Sequence, residues 1–263
     1  MKKIRIYQVD AFADRLFAGN PAAVCLLDEW ISDELMQSIS VENNLAETAF
    51  VVSKGDKYEI RWFTPTVEVD LCGHATLAAG YVLLTQLKPN ASEVSFYSYR
   101  SGDLKVFRSD DKYFLDFPTD SLILVDKIDQ FTGLINCNII ELYKGKTDYV
   151  AVIASEDELI ALEPNLSKIS TLNARGLIVT APGKSIDFVS RFFAPQSGIN
   201  EDPVTGSAHT SLTPLWTEKL GKSEMVAKQL SKREGNLVCI NKGDRCWIGG
   251  KLNLFLIGDI FLK

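Results

Sequence analysis

The chain repeats itself. A segment from Arg61, RWFTPTVEVDLCGHATLAAGYVLL, returns from Arg191 as RFFAPQSGINEDPVTGSAHTSLTPLW. Both open Arg-aromatic-Phe-x-Pro, cross a short polar stretch and reach Gly-x-Ala at the front of a predicted helix, Gly73-His74-Ala75 and Gly206-Ser207-Ala208. The offsets, 191 − 61 = 130 and 206 − 73 = 133, are about half of the 263 residues. Self-similarity at that period reads as a duplicated domain. Runs rich in β-branched and aromatic residues, such as IRIYQVDAF, YEIRWF and KYFLDF in the first half and GLIVTA, DFVSRFF and NLFLIGDIFL in the second, read as short strands. The expected fold class is therefore α+β: two pseudo-symmetric domains, each a β-barrel-like sheet wrapped around a central apolar helix.

The best boundary is the bend at DFPTD, residues 116–120, which gives domains of 1–118 and 119–263 with the last strand, about 253–263, able to return to the first domain. No long linker separates them, so the halves should pack closely and leave a cleft suited to a ligand. Two surface helices are predicted, over 32–43 with Ser32 as N-cap and over 156–163.

The stretch from Leu71 to Leu87 carries no charge, but it is short for a bilayer core of about 30 Å and contains His74, Thr76, Thr85 and Gln86. A helix apolar on every side reads as the buried centre of a domain. A formal charge of −6 without a Lys/Arg run argues against nucleic acid as partner. The N-terminus lacks the continuous apolar core of a signal peptide, so a cytoplasmic protein is expected. The five cysteines are scattered, with no CxxC pair, and support neither a disulfide framework nor a zinc site; no metal is expected.

The only two histidines, His74 and His209, both fall in the repeated motif. Each glycine there lets backbone approach a ligand, and each helix start turns free N–H groups and the positive end of its dipole outward. If both starts face one cleft, the site suits a carboxylate or a developing enolate-like charge. Glu47, in NNLAETAFVV, shares a strand face with Ala49 and Val51 while Thr48, Phe50 and Val52 take the other. A glutamate entering a buried strand with no basic neighbour should have a raised pKa, which suits a general acid/base; a solvated strand end is the alternative reading. Asp202, before Pro203, reads equally as a turn residue. Ser207 stands where His74 stands in the first copy, and a Ser-His nucleophile is open although no GxSxG elbow exists. Cys72 precedes the first helix start, where a thiol pKa would fall.

The blocks FAGNPAAVC (18–25), NLAETAFV (44–51), IRWFTPTVEVDLCGHATLAAG (60–80), LDFP (115–118), SRFFAP (190–195) and EDPVTGSAH (201–209) resemble the PhzF-like family, relatives of the phenazine-biosynthesis isomerase with the diaminopimelate-epimerase fold. The resemblance implies an active site in the cleft at both helix N-termini and a homodimer. It implies a cofactor-independent isomerase, without metal or organic cofactor, that shifts a proton on a small carboxylate-bearing substrate. It carries the family's acid/base glutamate onto Glu47, the cleft histidine onto His74, and the aspartate and serine onto Asp202 and Ser207; beside them Gly73 and Gly206, exposing N–H groups, and Cys72 and Thr205 are expected to line the substrate. The related epimerases place a cysteine at each helix start, one per substrate face. This chain has Cys72 at the first and Thr205 at the second, which favours a one-face proton shift through Glu47 over inversion. Glu234, in SKREGN, departs from a pattern that often has glycine in this loop. An amino-acid racemase or epimerase using Cys72, and a non-catalytic ligand-binding protein of the same fold, are the alternatives.

Overall fold

The computed structural model describes residues 2–262. The chain forms two compact units, one of residues up to Asp116 together with those from Gly249, the other of Phe117–Ile248.

The first unit contains β1 (Lys2–Ala11), β2 (Asn20–Leu27), α1 (Asp33–Asn43), β3 (Glu47–Lys54), β4 (Lys57–Phe63), β5 (Glu68–Val69), α2 (Gly73–Val82), β6 (Glu93–Ser98), β7 (Gly102–Ser109) and β8 (Lys112–Pro118). The second contains β9 (Ile123–Leu124), β10 (Glu141–Lys144), β11 (Asp148–Val152), α3 (Glu156–Ile160), α4 (Leu166–Ile169), β12 (Gly176–Pro182), β13 (Phe188–Phe193), α5 (Ala208–Leu220), β14 (Glu224–Gln229), β15 (Gly235–Asn241) and β16 (Arg245–Gly250). The last strand, β17 (Leu252–Leu262), pairs antiparallel with β1 along its length.

The duplication is written in the pairing. In the first unit β2–β3 is parallel, β3–β4 antiparallel, β4–β6 parallel and β6–β7 antiparallel. In the second, β11–β12, β12–β13, β13–β14 and β14–β15 repeat that alternation in the same order. A parallel step needs a crossover, and a helix supplies it each time: α1 and α2 in one unit, α3 with α4 and then α5 in the other.

α2 is buried on nearly its whole circumference, from Gly73 to Gly80 and at Val82, because β1, β2, β3 and β7 of the same sheet all pack on it. Gly80 is required for that closeness: a Cβ there would lie 2.4 Å from Val106 Cγ1 on β7. The helix then widens into a π-helical turn over Leu83–Leu87. Among the described residues no helix is long and apolar enough to cross a membrane. On the other side of the sheet Phe50 and Val52 of β3 join Met36 and Ile39 of α1 in one apolar cluster. In the second unit Leu142, Ala151, Leu159, Leu177, Val179 and Phe193 belong to the corresponding core.

Local expectations fared unevenly. α1 starts behind Ser32, whose Oγ accepts from the amide of Leu35 at 3.3 Å. The helix expected over 156–163 ends at Ile160, with Ala161 as its C-cap. β9 is limited to Ile123–Leu124, and β10 and β14 carry Glu and Lys that mask their alternation in the sequence.

Candidate active site

The repeated arginines perform the same task in both units. Arg61 donates Nε to Glu68 Oε1 at 2.7 Å and Nη2 to Oε2 at 2.9 Å. Arg191 donates the same pair to Glu201 at 2.7 and 3.1 Å. Such two-pronged pairs fix geometry as well as contributing energy. Glu68 and Glu201 are 133 residues apart, the offset of the glycines, so the three extra residues of the second copy fall between the arginine and its glutamate. They are taken up where Pro195–Ser197 forms a short 3-10 turn ended by left-handed Gly198. Each clamp pins a hairpin back onto the strand that carries the arginine: β5 on β4, and the Ala194–Ile199 bridge beside β13. The chain leaves each hairpin directly into the segment bearing the candidate residues.

In the first unit that segment is Cys72-Gly73-His74. The parallel register pairs Ala22 of β2 with Glu47, so the first residues of β2 and β3, Asn20 and Glu47, end together. The start of α2 meets them there. His74 Nε2 lies 3.2 Å from Glu47 Oε2, with both side chains nearly enclosed at 6% and 12% exposure. Nδ1 of the same ring lies 3.3 Å from the Asn20 amide nitrogen and 3.5 Å from Cys72 Sγ. Of the two ring nitrogens, Nε2 is the one that stands against the Glu47 carboxylate. Burial pushes the His74 pKa down to about 3, so the imidazole is neutral at physiological pH. The expectation that Glu47 lacks a titratable neighbour is thus corrected: an imidazole adjoins it, contributed from 27 residues further along the chain.

In the second unit the segment is Asp202–Ser207. Asp202 is buried and accepts from Thr205 Oγ1 at 2.5 Å. Gln229, fully buried at the end of β14, ties the loop: its Oε1 accepts from the Thr205 amide at 2.8 Å and its Nε2 donates to the Asp202 carbonyl at 2.8 Å. Thr205 is therefore a hydroxyl donor to Asp202. Ser207 Oγ accepts from Arg175 Nη1 at 3.0 Å, and Arg175 is held in turn by Asp148 through Nε at 3.0 Å and Nη2 at 2.5 Å. Asp148 keeps the Arg175 guanidinium firmly charged against its burial.

Three expectations change here. α5 begins at Ala208, so Gly206 and Ser207 form a tight turn ahead of it, whereas α2 begins at Gly73 itself. Ser207 has no histidine partner: His209 Nε2 lies 3.4 Å from Ser190 Oγ and its Nδ1 2.8 Å from the Thr205 carbonyl, against Phe188. The two histidines therefore serve different ends, since His209 is fully buried among the structural contacts of the second unit. No side chain caps either helix start, and at α5 the amides of His209 and Thr210 already bond the carbonyls of Gly206 and Ser207 at 3.1 and 3.2 Å.

The structure brings Glu47, Cys72, Gly73 and His74 together in one unit, and Asp202, Thr205, Gly206 and Ser207 in the other. Sequence reasoning missed Asn20, Arg175, Asp148 and Gln229. Asn20 stood inside the quoted FAGNPAAVC block and could have been found there. Arg175 and Gln229 sit in stretches without a motif. Glu234 takes φ +56, a left-handed backbone that glycine adopts freely.

Comparison with known proteins completes the site's context. A sequence profile described as phenazine biosynthesis-like protein matches residues 9–250. An uncharacterized isomerase of Pseudomonas aeruginosa is 46% identical, covering 99% of this chain and 100% of that one. A PhzF-family crystal structure from Enterococcus faecalis superposes with TM-score 0.96 at 42% identity, covering 99% of this chain and 100% of that one. A hydroxyproline epimerase from Agrobacterium vitis shares the fold, with TM-score 0.61 at 8% identity over 98% of this chain and 92% of the other.

Proposed function

The chain belongs to the phenazine biosynthesis-like (PhzC–PhzF) family, and on that premise we propose that it is a cofactor-independent isomerase shifting a proton on a small carboxylate-bearing substrate. The observation that carries the reading is the 3.2 Å approach of neutral His74 to Glu47 at the start of α2. Glu47 removes a proton from substrate carbon and returns it elsewhere along the conjugated system. His74, 3.2 Å from the Glu47 carboxylate, relays the proton; proximity of this kind is the first requirement of general acid/base catalysis. Asp202 and Ser207 position the substrate, the one oriented by Thr205 and the other by Arg175. The amides of Gly73 and Gly206 and the uncapped helix starts receive its carboxylate. Reaction in the cleft between the two domains, in a cytoplasmic homodimer, is the arrangement that the family resemblance supports.

Incubation with dihydro-hydroxyanthranilate and related small unsaturated carboxylates in D2O should give deuterium wash-in that Glu47→Gln abolishes. Normal exchange by that variant would remove Glu47 from the role. A second reading, epimerisation with Cys72 as a base, is favoured by the 3.5 Å approach of Cys72 Sγ to His74 Nδ1. Cys72→Ala would destroy that activity and spare the first. Thr205, donating to Asp202, offers no thiol for the opposite substrate face.

A further inference from the structure

The last strand reads almost the same in both directions. From Leu254 to Leu262 the order is LFLIGDIFL, in which Leu254 mirrors Leu262, Phe255 mirrors Phe261 and Leu256 mirrors Ile260 about Gly258. We propose that β17 is the surface on which two copies of this chain meet, its stretch 256–260 pairing antiparallel with the same stretch of the second copy about a twofold axis at Gly258. The inference rests on the homodimer of the preceding reading for the number of copies and deepens it by naming the strand that joins them.

A twofold contact is self-complementary, and in an antiparallel pair the two strands run past each other in opposite order. A strand that mirrors itself therefore meets its own kind: Leu256 faces Ile260 of the second copy, and Phe255 comes beside Phe261 of the second copy. β17 offers the edge that such pairing needs. Among the described residues β1 is the one element that packs along its length. Its 11 residues make a long edge, and edges are normally kept from sticking by shortness, by charged side chains or by proline. β17 has no proline and a single charged side chain, Asp259, which β1 draws off: Lys3 Nζ lies 2.9 Å from Oδ2 and Arg5 Nε 3.2 Å from Oδ1.

What the edge shows to water is apolar. Leu256 and Ile257 point to opposite faces of the strand, yet both are exposed, so the strand stands clear of the core on both sides. Phe255 is the extra residue of a bulge, between Leu254 opposite Val9 and Leu256 opposite Gln8, and its ring meets Phe17 edge-on at 5.8 Å. The regular ladder therefore starts at Leu256, and Phe255 closes on the second copy through its ring. Phe17, Phe255, Leu256, Ile257 and Phe261 are 41–65% exposed. At about 200 Å2 for a fully open side chain of this size they present roughly 500 Å2 of apolar surface. That is near the top of what monomers leave open. It is also the greater part of the about 800 Å2 that each partner gives to a stable interface, to which the paired main chains add.

Sedimentation velocity of the full chain over a dilution series tests the proposal, with circular dichroism confirming that each variant is folded. The wild type should sediment as a dimer at micromolar concentration. Phe255→Lys combined with Phe261→Lys sets like charges together twice across the axis and should raise the dimer dissociation constant at least about 100-fold. Phe255→Lys combined with Phe261→Glu sets opposite charges there and should bind at least about tenfold tighter than the two-lysine variant. A cysteine on the axis reads the register. A Cβ at Gly258 would meet Leu256 Cδ2 at 3.4 Å and Ile6 Cγ2 at 3.7 Å, ordinary contacts, so Gly258→Cys fits. Oxidation with copper–phenanthroline should link Gly258→Cys into a covalent dimer and leave Ile123→Cys, exposed on β9, unlinked. A monomeric wild type, a dimer that the two lysines leave intact, or a Gly258→Cys chain that links no faster than Ile123→Cys overturns the proposal. Because mass is read without turnover, failure of the wash-in assay leaves the interface standing, and a monomer leaves proton transfer at Glu47 standing.

Discussion

His209 should make the protein acid-sensitive in a predictable window. Its ring is fully buried, and burial pushes its pKa from 6.5 down to about 4, the Thr205 carbonyl acting weakly in the opposite sense. The groups that face it are that carbonyl, the Ser190 hydroxyl and the Phe188 ring, with no carboxylate among these contacts. Between pH 6.5 and 4 the unfolded chain binds a proton that the folded chain refuses. Stability is therefore fully present above pH 6.5 and falls as pH drops toward 4. At 1.36 kcal/mol per pH unit, about 2 kcal/mol is lost by pH 5 and about 3 kcal/mol at pH 4 and below. Against a total of about 5–15 kcal/mol that is a large share. His209→Asn keeps a donor for the Thr205 carbonyl and removes the titration. It lowers stability at every pH by losing the ring's packing on Phe188, so the informative quantity is the difference between pH 7.5 and pH 5. Urea unfolding should show that difference shrinking by about 2 kcal/mol in the variant. The two-histidine composition gives a direct check, because the variant assigns both ring proton resonances in the NMR spectrum. The His209 signal should not titrate between pH 7.5 and pH 5 in the folded protein. An equal pH difference in wild type and variant, or a titrating His209 signal, would refute the reasoning.

Gly80→Ala should destabilise despite improving helix propensity. The new Cβ would lie 2.4 Å from Val106 Cγ1 and 2.6 Å from Val106 Cβ, an overpacking that costs about 1–3 kcal/mol against about 1 kcal/mol gained in propensity. A net loss of up to about 2 kcal/mol is expected as a lower urea midpoint at unchanged slope, and Val106→Ala should not rescue it because Val106 Cβ itself is in the way. A midpoint at or above wild type would show that α2 can move off β7. Glu234→Gly should gain roughly 0.5 kcal/mol, since the left-handed backbone costs an L residue about 1–2 kcal/mol and the exposed pair with Lys228 returns little. Glu234→Ala keeps the strain without the pair, so thermal midpoints should run Gly above wild type above Ala; any other order counts against the account.

Much of the architecture is legible before any coordinates because it repeats or is periodic. The Arg61 and Arg191 segments announce the duplication, and the structure shows why the arginines recur: each clamps a hairpin in front of a helix start. The buried helix is legible because TLAAGYVLL has no polar face. The residues around Glu47 and His74 are partly legible, since a glutamate leading an apolar strand and a histidine at an uncharged helix start are unusual on their own terms. Gln229 was not legible as a partner, because an amide at a strand end has no preferred meaning until another element arrives beside it.

The two histidines mark the division. Sequence alone determines that each stands in a repeated motif near a helix start, because that is a matter of order along the chain. Which of them adjoins a carboxylate and which is walled in by Phe188 and Ser190 depends on pairing that joins residues far apart in sequence. The parallel β2–β3 register puts Asn20 and Glu47 beside His74, while β13 puts Phe188 and Ser190 beside His209. Burial and local dielectric are properties of that assembled neighbourhood. The same imidazole therefore becomes a candidate proton carrier in one unit and a structural, acid-sensitive support in the other.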